Sequence, residues 1–391
     1  MKNGLKASVV MASMLLLAGC KNFWNVSSTT CTSNCSTTVS SGIFYVLNSS
    51  AGQVEIAGYS IVKNTLTALS GSPYSLPSGP YAVAVAPNDS FLYVSTQSGI
   101  YLYTIGSGGA LTLASTTPIS TDFAGYSMQV DATDSWLVEA SGSGYLYAIP
   151  ISPSTGETTG TVQQISLAGI TPRQLAISPD NTKVFVALNG SGTEVVPFTA
   201  SNSDPLPKSA GTPIAPAGAG GEAISVAVDP TNRLLYIGET LGTSASANTG
   251  VLRAFLYSSL GGTPTEVTGS PFASGGLTPA CILPSASGAY VYVANATVSS
   301  SSSGAISGYS ITASGSSYSL SSLSITASTG TTPAGLQEDS TGSVVLLVNS
   351  GGNPDLEVYS FDATTLGKLD AALSFATGTD PTGALGIAAA P

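Results

Sequence analysis

The sequence predicts an all-β fold, namely a seven-bladed β-propeller of four-stranded blades. The first observation behind this prediction is a β-rich segment that recurs seven times along the chain. A repeat of about 40 to 50 residues with strand-type content is typical of one propeller blade. The second is composition, because 44 glycines, 23 prolines and a charged fraction of only 8% indicate many short strands joined by turns. The third is that the C-terminus supplies a strand that the first repeat lacks.

The clearest copy of the repeat is the segment 171–189, TPRQLAISPDNTKVFVALN. Residues 175–178 form a short apolar run, 179–182 have the composition of a turn, and 183–188 form a second β-rich run. This pattern predicts two antiparallel strands joined by a tight turn. The second strand recurs around Tyr45, Tyr93, Leu137, Phe185, Tyr236, Tyr292 and Leu347, at spacings of 48, 44, 48, 51, 56 and 55 residues.

Apolar segments rich in small residues lie upstream of six copies and predict the inner strand of each blade. Small side chains suit positions where seven strands converge on one axis and each sheet is packed on both faces. Cys281 falls in one of these strands and is expected to be a small buried residue. The turns that follow them contain Asp89, Asp180 and Asp229, which we interpret as turn residues. The predicted inner strands are 82–86, 127–130, 175–177, 224–228, 281–283 and 335–337.

The two ends of the repeat region complement each other. The first copy, at residue 44, has no inner strand before it, whereas residues 385–391 read as an inner strand with nothing after it. We therefore expect the C-terminal strand to complete the first blade, which hides the edges that an open stack would expose. The predicted propeller domain spans residues 42–391.

Residues 1–20 resemble a bacterial lipoprotein signal peptide. Lys2 and Lys6 precede an apolar run, and the segment ends in Leu17-Ala18-Gly19-Cys20. The resemblance implies that Cys20 becomes the lipidated first residue and that the protein is exported. Because Lys21 rather than Asp follows, an outer-membrane or cell-surface location is favoured.

Residues 21–41 are rich in Ser, Thr and Asn and have no apolar period, so they are expected to form a flexible tether. Cys31 and Cys35 lie in this segment. In an oxidising compartment they either form a disulfide or remain two free thiols. Two thiols without a further Cys or any His are too few ligands for zinc.

Charge and residue usage exclude several functions. The formal net charge is -11 and the ten Lys and Arg residues are dispersed, which argues against nucleic acid as a partner. The chain has no histidine, so it cannot form a histidine-based catalytic triad and lacks the commonest transition-metal ligand. No Gly-x-Ser-x-Gly motif is present. The domain is expected to be a monomer.

Candidate functional residues follow from the geometry of a propeller. Inner strands begin, and second strands end, at the same mouth of the axial channel, which is the default ligand site. Aligning the inner-strand starts on Arg173 gives Tyr81, Tyr126, Ile224, Ala280 and Ala334, with Glu222 two residues before Ile224. The second-strand exits supply Asn48, Gln97, Glu139, Asn189, Glu239, Asn295 and Asn349.

Each candidate has a functional and a structural interpretation. Arg173 either binds a carboxylate or phosphate by a two-pronged hydrogen bond or bonds loop carbonyls at the rim. Tyr81 and Tyr126 either stack on a sugar or are ordinary strand-edge aromatics. Asn189 and Asn295 are candidate ligand-binding residues at the same mouth. Weak candidate metal ligands are Glu139, Glu239 and Asn349; Glu139 and Asn349 are expected to diverge in register from Asn48, Glu239 and Asn295.

The pattern of a proline, a small apolar strand, a Ser-Pro-Asp turn and a strand such as Tyr292-Val293-Ala294-Asn295 resembles the bacterial lactonase-type seven-bladed propeller family, which includes 6-phosphogluconolactonase-like proteins. The resemblance covers residues 42–391 and implies the fold. It also implies, as an alternative function, a lactone or ester hydrolase, assisted by calcium or by Glu222 or Glu239. Family members generally use His, Arg or Glu at the mouth, and this chain has no His. The primary expectation is therefore a module that binds a protein, glycan or small ligand at the mouth, and a purely structural envelope module is a third option.

Overall fold

The computed structural model describes residues 42–50, 53–62, 64–121, 125–169, 171–242, 249–296, 304–352, 354–377 and 384–390. The predicted signal peptide and tether lie outside the described residues, and so do Cys20, Cys31 and Cys35. No helix in the described ranges is long and apolar enough to cross a membrane.

The described chain forms seven antiparallel sheets, one for each predicted blade. Blade 1 contains β1 (Gly42–Ser50), β2 (Gln53–Val62), β3 (Thr65–Ala68), β4 (Tyr74–Ser75) and the C-terminal β28 (Ala384–Ala389). Blade 2 contains β5 (Pro80–Val85), β6 (Phe91–Thr96), β7 (Gly99–Ile105) and β8 (Leu111–Leu113). Blade 3 contains β9 (Gly125–Val130), β10 (Trp136–Ser141), β11 (Tyr145–Pro150) and β12 (Gln163–Ser166). Blade 4 contains β13 (Gln174–Ile177), β14 (Lys183–Ala187) and β15 (Thr193–Pro197).

The remaining three blades have four strands each. Blade 5 contains β16 (Glu222–Val228), β17 (Leu234–Leu241), β18 (Thr249–Leu256) and β19 (Phe272–Ala273), with a 3₁₀ turn at Tyr257–Ser259. Blade 6 contains β20 (Thr278–Pro284), β21 (Tyr290–Ala296), β22 (Ala305–Ser314) and β23 (Ser317–Ser328). Blade 7 contains β24 (Pro333–Glu338), β25 (Val344–Asn349), β26 (Leu356–Ser360) and β27 (Leu373–Phe375). The predicted seven-bladed propeller is confirmed.

Blade 4 differs in having three strands. An isolated bridge between Thr193 and Ile214 takes the place of its outer strand. The segment between them contains Pro205, Pro207 and Pro213, and proline has no N–H to donate to a ladder. The sequence therefore supports only one bridge where the other blades form an outer strand.

Each blade packs on the next through the central residue of its second strand. The buried hydroxyl of Tyr93 donates to the Gly156 carbonyl of blade 3 at 2.9 Å, and Tyr45 donates to Gly109 of blade 2 at 2.7 Å. Burial raises the pKa of both tyrosines. The buried phenol satisfies its donor while its ring fills the space between two sheets.

The strand pairing corrects the repeat register in blades 3 and 7. Tyr93 lies opposite Ala84 in blade 2, and the equivalent residues are Val138, opposite Gln129, and Leu346, opposite Gln337. The predicted central residues Leu137 and Leu347 are each one residue away from these positions. Both segments are apolar runs without a central tyrosine, so the sequence alone does not mark the middle of the strand.

The turns between inner and second strands lie on the face opposite the mouth, called the turn face below. Positive φ angles occur there at Asp89, Asp134, Asn181 and Asn232, residue types that tolerate this conformation. The Asp229 carboxylate accepts hydrogen bonds from Thr231 and Arg233 in its own turn. Asp89, Asp180 and Asp229 are therefore turn residues, as expected.

Closure of the ring follows the prediction. The C-terminal β28 pairs antiparallel with β1, with Ile387 opposite Val46 and Ala389 opposite Phe44. Ile387 is 7% exposed and packs in the core between blades 7 and 1. Cys281, 5% exposed in β20, is likewise a small buried residue.

We expect deletion of residues 384–391 to destabilise the whole domain. The truncation removes the Ile387 contact and leaves the inner edge of β1 without its partner strand, a loss of about 5 kcal/mol or more. Thermal unfolding should show a midpoint lower by at least about 10 °C. Leu385→Ala, at a partly exposed position of the same strand, is the control and should shift the midpoint little. An unchanged midpoint in the truncated protein would contradict this closure.

Candidate functional site

A β-bulge begins the inner strand of six blades at the mouth. In each case two successive residues at the end of the second strand pair with inner-strand residues that are two positions apart. The inner-strand residue between them is an extra residue that is not paired in the ladder. Such bulges bend a strand and re-aim a side chain. The extra residues are Tyr81, Tyr126, Ile224, Ala280, Ala334 and Leu385.

Arg173 occupies the equivalent place in blade 4. Its N–H donates to the Ala187 carbonyl, while Gln174 pairs with the same residue. The residue before each extra position is buried, and four of these buried residues are prolines, Pro80, Pro172, Pro279 and Pro333. All seven extra residues are partly or fully exposed. We call Tyr81, Tyr126, Arg173, Ile224, Ala280, Ala334 and Leu385 the bulge ring.

The bulge ring has two unlike halves. Blades 2, 3 and 4 contribute Tyr81, Tyr126 and Arg173, whereas the other four blades contribute only aliphatic side chains. The rings of Tyr81 and Tyr126 meet edge to face, with centroids 5.7 Å apart and an interplanar angle of 82°. Tyr126 is 52% exposed, which is unusual for a large aromatic side chain and leaves its face accessible to a ligand.

Asn189 holds the Arg173 guanidinium by one edge. Arg173 Nε donates to Asn189 Oδ1 at 2.8 Å, and Asn189 Nδ2 donates to Thr171 Oγ1 at 2.9 Å. The backbone N–H groups of Asn189 and of Ala223 in blade 5 each donate to the carbonyl of the other residue. Within the described residues, the terminal nitrogens Nη1 and Nη2 of Arg173 have no partner. The guanidinium is thus fixed in orientation while its outer edge is free to bind an oxyanion.

Glu222 lies beside this group. It directly precedes Ala223, the bridge partner of Asn189, and its side chain is exposed. Arg173 and Glu222 are both described, and they do not form an ion pair. The arc from Tyr81 through Tyr126 and Arg173 to Glu222 therefore spans four consecutive blades at one mouth, and we call it the polar arc.

The second-strand exits have a different role from the one considered in the sequence. Asn48, Glu239, Asn295 and Asn349 each lie opposite the first residue of a bulge, whereas Gln97 lies one residue past that position and Glu139 two residues before it. Their side chains turn toward the crossover, the segment that leads from the preceding blade's outer strand. Asn295 Nδ2 donates to the Ser274 carbonyl at 2.6 Å, and Asn349 Nδ2 donates to Glu357 Oε2 at 2.9 Å.

Buried carboxylates complete these crossover contacts. Glu357 Oε2 accepts the Gly330 N–H at 2.7 Å, Glu194 Oε2 accepts the Ala168 N–H at 2.8 Å, and Glu239 Oε2 accepts the Ala217 N–H at 2.9 Å. Burial raises the pKa of Glu194, Glu239 and Glu357, and the hydrogen bonds offset part of that effect. The exit residues thus fasten blade to blade.

Glu239 also belongs to a buried ionic group that the sequence did not reveal. Arg253 Nη1 donates to Glu239 Oε1 at 2.8 Å and to the Ala215 carbonyl at 2.7 Å, and the same guanidinium contacts Glu266. Glu239 is 0% exposed and Arg253 is 6% exposed. A carboxylate committed to an internal arginine and a backbone N–H is not available to a ligand at the mouth.

Glu139 is buried without a cation. It is 0% exposed, and its Oε1 accepts the Ser95 hydroxyl of blade 2 at 3.0 Å. Burial raises the pKa of Glu139 to about 7, and the bond from Ser95 offsets only part of the shift. Gly125 packs so closely that a Cβ there would lie 1.8 Å from Glu139 Oε1. Glu139 is therefore enclosed between blades 2 and 3.

The weak metal candidates are consequently not brought together. Glu139 is enclosed between blades 2 and 3, Glu239 bonds the crossover that enters blade 5, and Asn349 bonds a loop of blade 7. No group of three or more His, Cys, Asp or Glu in the described ranges is arranged to hold a metal ion. The expected divergence holds for Glu139, which lies two residues before the exit position. The expected divergence is wrong for Asn349. The central residue of the second strand in blade 7 is Leu346 and not Leu347, so Asn349 lies three residues after it, as Asn295 lies three residues after Tyr292.

Comparisons with known proteins support the fold. No protein-family model and no curated protein sequence matches this chain. A proposed 6-phosphogluconolactonase from Bacteroides uniformis has a similar structure, with a TM-score of 0.68 and 16% identity over 89% of this chain and 99% of that chain. A periplasmic gluconolactonase from Pseudomonas aeruginosa gives a TM-score of 0.66 and 16% identity over 88% and 98% of the two chains. At this identity the likeness shows a lactonase-like propeller fold.

The raised pKa of Glu139 predicts a pH-dependent stability. An acid with a higher pKa in the folded state binds its proton more tightly there, so the free energy of unfolding falls as the pH rises from about 4.5 to about 7. Glu139→Gln removes this ionisation. We expect the stability of the variant relative to wild type to increase by about 2–3 kcal/mol between pH 5 and pH 8. Urea unfolding at both pH values measures this change.

Glu222→Gln is the matched control, because it makes the same substitution at an exposed position. Its difference from wild type should be the same at pH 5 and pH 8. If Glu139→Gln behaves in the same way, the Glu139 carboxyl titrates without the cost of burial and our account of its environment is wrong.

Proposed function

We propose that this protein binds a small polyhydroxylated oxyanion, such as a sugar acid, at the polar arc of the mouth. The observation that carries the proposal is the Arg173 guanidinium, which Asn189 holds through Nε at 2.8 Å while Nη1 and Nη2 stay free within the described residues. A carboxylate or phosphate that accepts both terminal nitrogens forms a pair of charge-assisted hydrogen bonds. A fixed guanidinium loses little conformational entropy on binding.

The neighbouring side chains favour a sugar as the body of the ligand. The edge-to-face pair of Tyr81 and Tyr126 presents an exposed aromatic surface, and the C–H face of a sugar packs well on such a surface. The Asn189 amide bonds Arg173 and Thr171 and so shapes the site, while the exposed Glu222 carboxylate offers acceptors for hydroxyls. Asn295, which the sequence suggested as a further ligand contact, is buried and bonded to Ser274, so we leave it out of the proposed site.

A second candidate is lactone hydrolysis. It is favoured by the fold shared with proteins whose names refer to gluconolactone and 6-phosphogluconolactone. In this chain Glu222 is the exposed carboxylate of the polar arc and would act as general base toward a water that attacks the lactone carbonyl, with Arg173 stabilising the developing oxyanion. Glu239, the other carboxylate considered, is enclosed with Arg253. The calcium-assisted form of this alternative gains no support from the placement of the candidate ligands.

We expect Arg173→Ala to weaken binding of gluconate by roughly tenfold to a hundredfold, the value of a charge-assisted hydrogen-bond pair. Isothermal titration calorimetry with gluconate measures this, and glucose serves as the uncharged comparison. Because Arg173 is exposed, the melting temperature should not change. Lys208→Ala removes an exposed positive charge from the same blade, away from the mouth, and should leave the affinity unchanged.

Several outcomes would refute or redirect the proposal. If wild-type protein does not bind gluconate or 6-phosphogluconate, or if Lys208→Ala weakens binding as much as Arg173→Ala, the site is not the polar arc. Incubation with glucono-lactone distinguishes the second candidate. Turnover that Glu222→Gln abolishes, while gluconate affinity persists, favours hydrolysis over binding alone.

We also propose that a lipid on Cys20 anchors the protein to the cell envelope. Gly42 lies at the turn face, where a Cβ on it would be 2.8 Å from Asp339 Oδ2 in the turn of blade 7. The chain therefore enters the propeller on the face opposite the polar arc. The segment 21–41 spans at most about 70 Å when extended, so the anchored domain would stay near the membrane with its mouth accessible from the far side.

The anchor is tested by Cys20→Ala in a bacterial host. We expect the wild-type protein to fractionate with membranes and the variant to lose this association, because the thioether-linked lipid cannot form. Cys31→Ala is the control and should remain with the membranes. Membrane association of Cys20→Ala equal to that of wild type would exclude the lipid as the anchor.

A further inference from the structure

The outer edge of blade 6 differs from every other outer edge in the described chain. Its outer strand, β23, has 12 residues, whereas the other outer strands have two to four. It extends beyond the body of the blade with β22, and their shared tip at 313–317 is exposed. Residues 317–322 pair in regular register with 309–314, and an irregularity follows where Ser307 pairs with Thr326 and Tyr309 with Ser322. The regular part, 317–321, forms the outer edge of its sheet, where backbone N–H and C=O groups face solvent.

This edge also lacks the usual protection against pairing. Proteins interrupt exposed edges with charged residues, prolines, bulges or very short strands. Residues 317–321 contain no charged residue and no proline, and the irregularity of β23 lies beyond them, at 323–325. The absence of charge extends over the whole of blade 6, because residues 267–337 contain no Asp, Glu, Lys or Arg. Elsewhere the chain is strongly acidic, with a formal net charge of -11.

We propose that the outer edge of β23 over residues 317–321 pairs with the same segment of a second copy of this chain. Two like edges meet antiparallel around a two-fold axis, which satisfies the backbone groups of both strands. The charge pattern favours a second copy because two acidic molecules repel each other over most of their surfaces, whereas blade 6 contributes no charged side chain. Arg233 of blade 5, which lies over the Tyr318 ring, is paired with Asp229.

The described side chains suit this contact. Tyr318 and Leu320 point inward and pack against blade 5, whereas Ser319 and Ser321 on the other face of β23 are exposed. Small hydroxyl side chains allow close strand approach and form cross-strand hydrogen bonds. Because β23 lies on the outer circumference, the mouth stays open in the dimer, and the proposal does not depend on what binds there. It replaces the monomer that the sequence suggested.

The test compares two double variants of the full chain. Ser319→Lys with Ser321→Lys places two like charges on the β23 edge, and Thr65→Lys with Thr67→Lys places the same charges on exposed residues of the short outer strand β3. Light scattering over roughly a hundredfold range of protein concentration measures the association. We expect wild type and the β3 variant to dimerise alike, and the β23 variant to dimerise at least about tenfold more weakly.

Hydrogen exchange on wild-type protein provides a measurement that needs no variant. The amides of β23 should exchange more slowly as the concentration rises through the dimerisation range, while those of β3 should not change. A wild-type protein that stays monomeric over the whole range would overturn the proposal. So would equal weakening by the two double variants, or a dimer whose β23 amides are not protected.

Discussion

The β-bulge at the start of six inner strands, with Arg173 at the equivalent place in blade 4, is the constraint on which the site depends. A crossover arriving from the preceding blade must enter a strand that is packed on both faces, and the bulge makes that change of direction within two residues. The first of the two is buried and is a proline in four blades, since a bulge tolerates the missing N–H. The second residue is not paired in the ladder, and its side chain turns toward the mouth. The backbone thus supplies seven equivalent positions whose side chains are free to vary without disturbing the sheets.

The crossovers need separate support, and in a chain with no histidine and ten Lys and Arg residues this support comes mainly from carboxylates and amides. Glu194, Glu239 and Glu357 accept backbone N–H groups while buried, and a buried carboxylate is tolerated only when such donors surround it. Glu139 is also buried, and the Ser95 hydroxyl and the Gly125 N–H offset only part of the cost, so its pKa is raised to about 7. Residue types that suggest chemistry in the sequence therefore serve assembly in the structure.

Much of the fold could be predicted because it depends on local pattern. The alternation of an apolar run, a turn and a β-rich run repeats often enough to give the number of blades, and the unmatched ends give the closure. Alignment on Arg173 also placed Tyr81 and Tyr126 at equivalent positions. The register of blades 3 and 7 was misjudged by one residue because Val138 and Leu346 lie in uniform apolar runs. The Arg253 group and the Ser95 contact could not be predicted, since they join residues that only tertiary packing brings together.

The second-strand exits and the bulge ring have different roles, and this difference explains why the fold determines one set of residues and leaves the other free to vary. Second-strand exits such as Asn349 must satisfy a crossover, so their chemistry is determined by the scaffold. Bulge residues contribute little to the scaffold, so an arginine at position 173 in a ring with four aliphatic members has no packing reason to be there. The side chain of Asn189 orients that arginine, and the backbone of Asn189 joins blade 4 to blade 5. A rigid connection between the scaffold and one exposed cation is what a site for a small anion requires, and it is the feature that distinguishes this mouth from a merely closed ring.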